Sequence, residues 1–265
     1  NSAYTGGLDF KHNWNDRKYY IKGNFEISNV NGSEEAITRT QTSITHLFQR
    51  EDATHISVDT TLTSLTGTGG NFQFGKQGGG NWRYYIGGHW KSPKLELNDI
   101  GFLRQADKIT QYAGATRLFT KPTNWYRRAQ VGVEQFTTYD FEGNYNRFQI
   151  ELQGDINYKN NWWSEGGVAY KPIIYSNTVL RGGPRWRWSD EHFFYFFSGT
   201  NQSKKFSGTL GYIYSQAKQN NFGLRKYEAR LNYQPLNALS LSLAAEYASN
   251  PNKTQYASQQ DYVGI

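Results

Sequence analysis

The sequence predicts an all-β fold: an antiparallel transmembrane β-barrel, with about 13–15 strands in this stretch of a larger barrel. Three observations predict it. First, long segments alternate apolar and polar residues, and several reach the ~9–11 residues that a tilted membrane-spanning strand requires. Second, the polar side of the alternation is fully hydrophilic, as in Lys22, Asn24 and Glu26, or Arg147, Gln149, Glu151, Gln153 and Asp155. Such a face meets water, whereas the inner face of a soluble sandwich is rich in Val, Ile and Leu. Third, aromatic residues crowd the segment ends. Trp14 and Tyr19, Trp82 and Tyr84, Trp125 and Tyr126, Trp162 and Trp163, and Trp186 and Trp188 are expected at the lipid interface, where an amphipathic ring sits at headgroup depth.

The elements follow in chain order. Tyr4 to Trp14 reads as a first strand, and Asn15-Asp16-Arg17 as a turn. Tyr19, Ile21, Gly23, Phe25 and Ile27 then share one face against Tyr20, Lys22, Asn24, Glu26 and Ser28. Glu34 to Arg50 fits a helical stripe about as well as a strand, and is read as a loop with a short helix or an irregular strand. Ile56, Val58, Thr60 and Leu62 alternate as in a strand, and the glycine runs Gly67 to Gly70 and Gly78 to Gly80 read as hairpin turns. Trp82 to Trp90 is a further strand.

Lys91-Ser92-Pro93 breaks the chain, and Leu95 to Asp107 fits neither period cleanly. Strands resume at Ile109 to Phe119, Tyr126 to Tyr139, Phe148 to Tyr158, Trp162 to Tyr175 and Arg185 to Ser198. Within the last of these, Phe193 to Phe197 puts aromatics on both faces, which suggests a lumen plug, a partner contact or a rim loop. Phe206 to Gln216, Tyr227 to Tyr233 and Leu239 to Tyr247 follow, with an apparent last strand from Gln255 to Ile265. The whole reads as a single barrel domain over residues 1–265.

Composition supports this reading. Of 265 residues, 37% are hydrophobic, 17% aromatic and 19% charged, and the mean hydropathy is −0.79. Polarity therefore comes from amides, hydroxyls and glycine, unlike a disordered chain, which is polar through charge and poor in aromatics. The net charge is +7, but the cations are scattered, so nucleic acid is not expected as a partner. Without cysteine, disulfides and thiolate metal sites are excluded. The lack of methionine and of a signal peptide reads as a processed form or an excerpt. No run of 18 apolar residues exists, so any membrane crossing falls to strands.

Several stretches together carry a resemblance: AYTGGLDFKHNWNDRKYYIKGN, HLFQREDATH, DTTLTSLTGTGGNFQFGKQGGGNWR, KSPKLELNDIGFLRQAD and LRGGP. In these the chain resembles the Bacteroidota outer-membrane β-barrel region of the domain-of-unknown-function family 5916. The resemblance implies a bacterial outer-membrane barrel, commonly preceded by a carbohydrate-binding-like domain. It implies no activity.

Chemistry is sparse. Gly75-Lys76 lacks the following Ser or Thr and the helix of a phosphate loop. The histidines, His12, His46, His55, His89 and His192, show no ligand spacing, and no G-x-S-x-G elbow exists. No catalytic residue, metal or cofactor is expected. The candidate functional segment is the interruption, with Glu96, Asp99, Arg104, Asp107 and Lys108 expected to line or constrict a lumen on an inward-folded segment.

The residues leave four roles open. One is a pore, scaffold or subunit of a cell-surface complex, in contact with outer-membrane lipid and other outer-membrane proteins. The others are a glycan-binding or uptake component acting through a further domain, a hydrolase at the barrel mouth, and a client held by assembly or secretion machinery.

Overall fold

A computed structural model describes residues 2–217, 223–251 and 257–258. The strands are β1 (Ser2–Trp14), β2 (Tyr19–Asn31), β3 (Ser64–Lys76), β4 (Trp82–Lys91), β5 (Lys108–Phe119), β6 (Tyr126–Tyr139), β7 (Tyr145–Tyr158), β8 (Trp163–Ser176), β9 (Trp186–Trp188), β10 (Glu191–Gly199), β11 (Phe206–Ala217), β12 (Gly223–Leu236) and β13 (Leu239–Ser249), with one helix, α1 (Glu34–Thr42). They form one 13-stranded antiparallel meander, in which each strand pairs with the next in sequence except that β10 pairs with β8, and the short β9 pairs only with β8. Among the described residues β1 and β13 are not paired to each other, so the sheet is open. Of the expected strand from Gln255 to Ile265 only residues 257–258 are described, and they are not in a strand; the rest lies outside the described residues.

The all-β reading holds, and three local readings change. The run Phe193 to Phe197 is an ordinary part of β10, paired on both sides, and not a plug or rim loop. Ile56 to Leu62 is not a strand. Its alternating apolar residues pack beside α1, with Val30, Ile37, Phe48 and Leu65, in a small core. Gly67 to Gly70 is not a turn either, but lies inside β3. These glycines are there for close approach: a Cβ on Gly67 would stand 2.1 Å from the Leu95 backbone nitrogen, and one on Gly70 2.6 Å from the Trp90 ring. The other glycine run does turn the chain, with Gly79 and Gly80 both at φ +67°.

One end of the sheet has short connections and the other has long ones. The short end uses residues that tolerate left-handed backbone: Asn15, Asp16 and Arg17 have φ of 52°, 54° and 61°, and Asn161 has 66°. The long end carries α1 and the segments between β2 and β3, β4 and β5, β6 and β7, and β8 and β10. The ambiguous Glu34–Arg50 stretch proves to be short helix and turns. Ser33 caps α1, its hydroxyl accepting from the Ala36 amide at 3.2 Å. With nine residues, α1 is far too short to cross a membrane.

Burial is inverted relative to a soluble sheet. One cross-strand row runs Tyr84, Ala115, Val133, Leu152, Val168 and Phe194. It is largely open to the surroundings, with Leu152 51% and Val133 41% exposed. The opposite face holds the buried Ser28, Thr110, Thr138, Ser207 and Ser215. That polar face is the sheltered one.

The sheltered face is packed by a repeated device. A row of directly opposed residues reads Tyr20, Gly75, Tyr85, Gly114, Glu134. Tyr85 lies across Gly114, where a Cβ would stand 2.6 Å from its Cζ, and its hydroxyl donates to Glu134 at 2.6 Å. Tyr112 lies across Gly87 toward Gln73 (3.3 Å), and Tyr195 across Gly167 toward Gln153 (3.3 Å). In each, aromatic, glycine and acceptor are consecutive positions of one row. The ring covers backbone that a bare glycine would expose, and its hydroxyl is satisfied two strands from its origin.

Placing a branched side chain beneath one of these rings tests the device. Gly114→Val is expected to destabilise by about 1–3 kcal/mol through overpacking. Adding Tyr85→Ala should recover much of that loss, giving a positive coupling in denaturant unfolding. Strictly additive effects would show that the ring does not depend on the glycine.

Candidate functional site

The long-loop end gathers the residues on which chemistry can be argued. The segment after β4 folds onto the sheltered face. The Glu96 amide donates to Ser28 Oγ at 3.0 Å, and the fully buried Leu95 sits over Gly67 and Gly69. It is tied to the segment after α1 by Ala106 N–H to Thr45 O (2.9 Å) and by Thr45 Oγ1 to Leu103 O (3.3 Å). Leu95, Leu103, Ala106 and Leu97 form its own apolar cluster.

His46 fastens the same two segments. Its Nε2 is 3.0 Å from the Leu95 carbonyl and its Nδ1 is 3.1 Å from Ser43 Oγ. The carbonyl only accepts, so Nε2 carries the proton and Nδ1 accepts from the serine. Burial lowers the His46 pKa below its ordinary value, against the opposing pull of Glu96 and the Leu95 carbonyl. Glu96 Oε2, at 3.8 Å, therefore faces a neutral ring and not an ion-pair partner. With its protonated nitrogen turned to a backbone carbonyl, His46 is a fastener and not a general base.

A buried charge cluster lies beyond it. The Arg50 side chain is 2% exposed and lies among Asp52 (3.4 Å), Asp140 (3.7 Å) and Asp107 (4.0 Å). Arg185 approaches Asp52 from the other side, its backbone amide donating at 2.8 Å and its Nε at 3.5 Å. His55 bridges Asp107 (2.9 Å) and Glu142 (3.3 Å). Thr54 donates to Glu142 through both its amide and its hydroxyl, and these donors hold the Glu142 carboxyl below the usual range. The Phe141 amide donates to Asp107 at 3.0 Å and the Asn144 amide to Asp140 at 2.9 Å. Removing one member of such a group strands a buried charge, at about 3–5 kcal/mol.

The five sequence candidates do not converge. Glu96 accepts from the Asn98 amide (2.7 Å), a turn-closing role. Asp99 is exposed and shares a shallow cleft with Glu96, Ile37 and Ser2. Arg104 is exposed over the Phe102 ring at 5.6 Å. Asp107, at φ 51°, belongs to the charge cluster, and Lys108 begins β5 on the sheltered face. Among the aromatics, Trp14, Tyr19, Trp82, Tyr84, Trp125 and Trp162 lie at the short-turn end. Trp163 instead lies on the sheltered face across Gly199, and Trp186 and Trp188 lie on β9 at the long-loop end.

Arg50, Asp52, Asp140, Glu142 and Arg185 were not singled out from the sequence. A signal was present: HLFQREDATH spans His46, Arg50, Asp52 and His55, KSPKLELNDIGFLRQAD ends on Asp107, and LRGGP directly precedes Arg185. Stretches far apart in the chain meet in one cap. Among the described residues, no three His, Asp or Glu side chains are arranged to hold a metal ion.

One comparison with known proteins gives a match. A family model described as Domain of unknown function (DUF5916) matches residues 1–264. No curated protein matches the chain.

The His46 fastener makes the cap acid-sensitive. Because its folded-state pKa is depressed, the stability it contributes is present above the ordinary histidine value of about 6.5 and lost as pH falls below it. Amide exchange of Leu95 to Ala106 should therefore speed up relative to strand amides as pH falls from about 7 to about 5. His46→Gln should flatten this dependence, and a pH-independent ratio in the unsubstituted protein would refute the role.

Proposed function

The chain belongs to the DUF5916 family, and on that footing we propose that its sheet is part of the wall of a β-barrel spanning a bacterial outer membrane. The barrel's interior is constricted at the long-loop end by the cap, which makes it a scaffold or selective conduit and not an open general pore. The observation that carries this reading is the inverted burial. Rows such as Val133, Leu152 and Val168 face outward, while serines, threonines and hydrogen-bonded tyrosines are sheltered. In water an exposed apolar face of this extent is an aggregation liability, whereas in lipid it is the solvated face.

Further features support it. Most strands have 10–14 residues, as a tilted crossing needs. Short turns at one end and long loops at the other are the usual asymmetry of outer-membrane barrels. Trp14, Tyr19, Trp82, Tyr84, Trp125 and Trp162 at the short-turn end make an interfacial belt. A second reading, glycan binding or uptake, is favoured by the aromatic rings on the sheltered face. Tyr20, Tyr85, Tyr112 and Tyr195 stand there among amides and carboxylates, the mixture that sugars stack on and hydrogen-bond with.

Two positions on opposite faces of one strand test the membrane reading. Leu152→Arg should cost about 2–4 kcal/mol at mid-membrane depth and abolish heat-modifiable barrel migration in outer-membrane fractions. Asp155→Arg, on the sheltered face opposite Glu165, should be tolerated. A folded Leu152→Arg protein, soluble without detergent, would rule out the proposal. For the constriction, the complete protein in planar bilayers should conduct weakly, and removal of residues 95–106 should raise conductance severalfold. A large, unchanged conductance in both would exclude a cap that closes the interior.

A further inference from the structure

A cavity of about 480 Å³ opens on the sheltered face just beneath the cap. Strands β4 to β8 supply its wall: His89, Lys108, Thr110, Thr138, Arg147 and Gln149. The loop after β8 adds Asn177, and Gln105 of the inward-folded segment closes the cap side. The volume falls within the ~300–1,000 Å³ of small-molecule sites.

Its charge is one-sided. No carboxylate lines it. Lys91 and Lys108 are directly opposed across β4 and β5, which for like charges is destabilising. His89 lies in the next row of the same face, opposite Thr110, and that row continues through Thr138 to Arg147. None of Lys91, Lys108, Arg147 or His89 has a salt bridge among the described residues. Arg147 donates to the Gln149 amide oxygen at 2.6 Å, a neutral acceptor. The acid whose field reaches Arg147, Glu191, is held by Lys171 at 2.6 Å and by Ser215 at 2.8 Å.

A second, independent feature points into the same space. Asn177 is 5% exposed, lines the cavity, and has neither a donor for its amide oxygen nor an acceptor for its amide nitrogen. Buried polar atoms without partners are rare and costly. A hydroxyl-bearing oxyanion resolves both features: its charge offsets the opposed cations, its anionic oxygens accept from Asn177 Nδ2, Arg147 and Lys108, and a hydroxyl donates to Asn177 Oδ1.

We propose that this cavity binds a soluble oxyanion-bearing molecule of about sugar size, such as a uronate or a phosphorylated or sulfated sugar. Tyr175 and Phe136 supply rings beside the charged end. The site lies on the sheltered face, away from the apolar surface, so a dissolved solute is the source and not a lipid headgroup. The proposal requires only this face and the cap, and holds or fails independently of the membrane reading.

Calorimetric titration of the full chain in neutral detergent tests it, with glucuronate and inorganic phosphate as probes and ionic strength held constant with sodium chloride. Saturable binding of at least one probe is expected. Lys108→Gln and Arg147→Gln should weaken it by about tenfold or more, while Arg117→Gln, in the row of the outward Trp82 and Val131, should leave it unchanged. If the cationic variants fail to fold, Asn177→Asp decides, because it keeps the shape and places a carboxylate on the wall. Loss of binding in that variant supports the site, and retained binding overturns it. Binding seen only with micelles containing phosphatidylglycerol, equal loss in Arg117→Gln, or heat that tracks ionic strength alone would each overturn it.

Discussion

Everything in this sheet depends on hydrogen bonding between sequence neighbours while the apolar side chains point outward. A sheet of this kind cannot draw its stability from two apolar faces pressed together, since the described residues form a single sheet. The ladders and the sheltered face must hold it. That explains why the sheltered face is neither purely charged nor loosely polar. Tyrosines laid across glycines cover it closely, and the hydroxyls of Tyr85, Tyr112 and Tyr195 each find an acceptor on a further strand. Charge, packing and hydrogen bonding are met by the same row of residues.

The cap obeys a different rule, and the contrast is instructive. Among the described residues, conventional apolar cores occur only there, around Ile37, Phe48 and Leu65, and around Leu95 and Leu103. They are small, and they are joined by the buried charges around Arg50. Arg50 Nε and Nη2, Asp52 Oδ1 and Asp107 Oδ2 have no hydrogen-bond partner among the described residues, although opposite charges stand close by. A purely apolar junction of that volume would hold at least as well. Ionic partners fix one arrangement of four loops where an apolar contact would accept many.

How much of this was legible in the sequence depended on distance along the chain. β2 and β7 were read correctly because their alternation is carried by adjacent residues. Gly67 to Gly70 was misread because glycine punctuates turns far more often than it makes room, and the Leu95 backbone that needs the room arrives from a different connection. Ile56 to Leu62 alternates because it borders a small core on one side, a pattern that local periodicity cannot distinguish from a strand. The inward fold of Leu95 to Asp107 was visible as a break in pattern. Its neighbours were not, since Asp52 and Arg185 stand 133 residues apart.

That separation bears on time as well as on space. The meander closes each strand against its predecessor at low loop-closure cost, so the sheet can grow hairpin by hairpin from either side. The cluster around Arg50 cannot. Its partners come from the connections after β2, β4, β6 and β8, and it is not complete until the last of these has been laid down. The cluster is therefore a record of register: a sheet with a missing or slipped hairpin before β8 lacks one of its partners, and only a chain with every strand to β8 in place completes it.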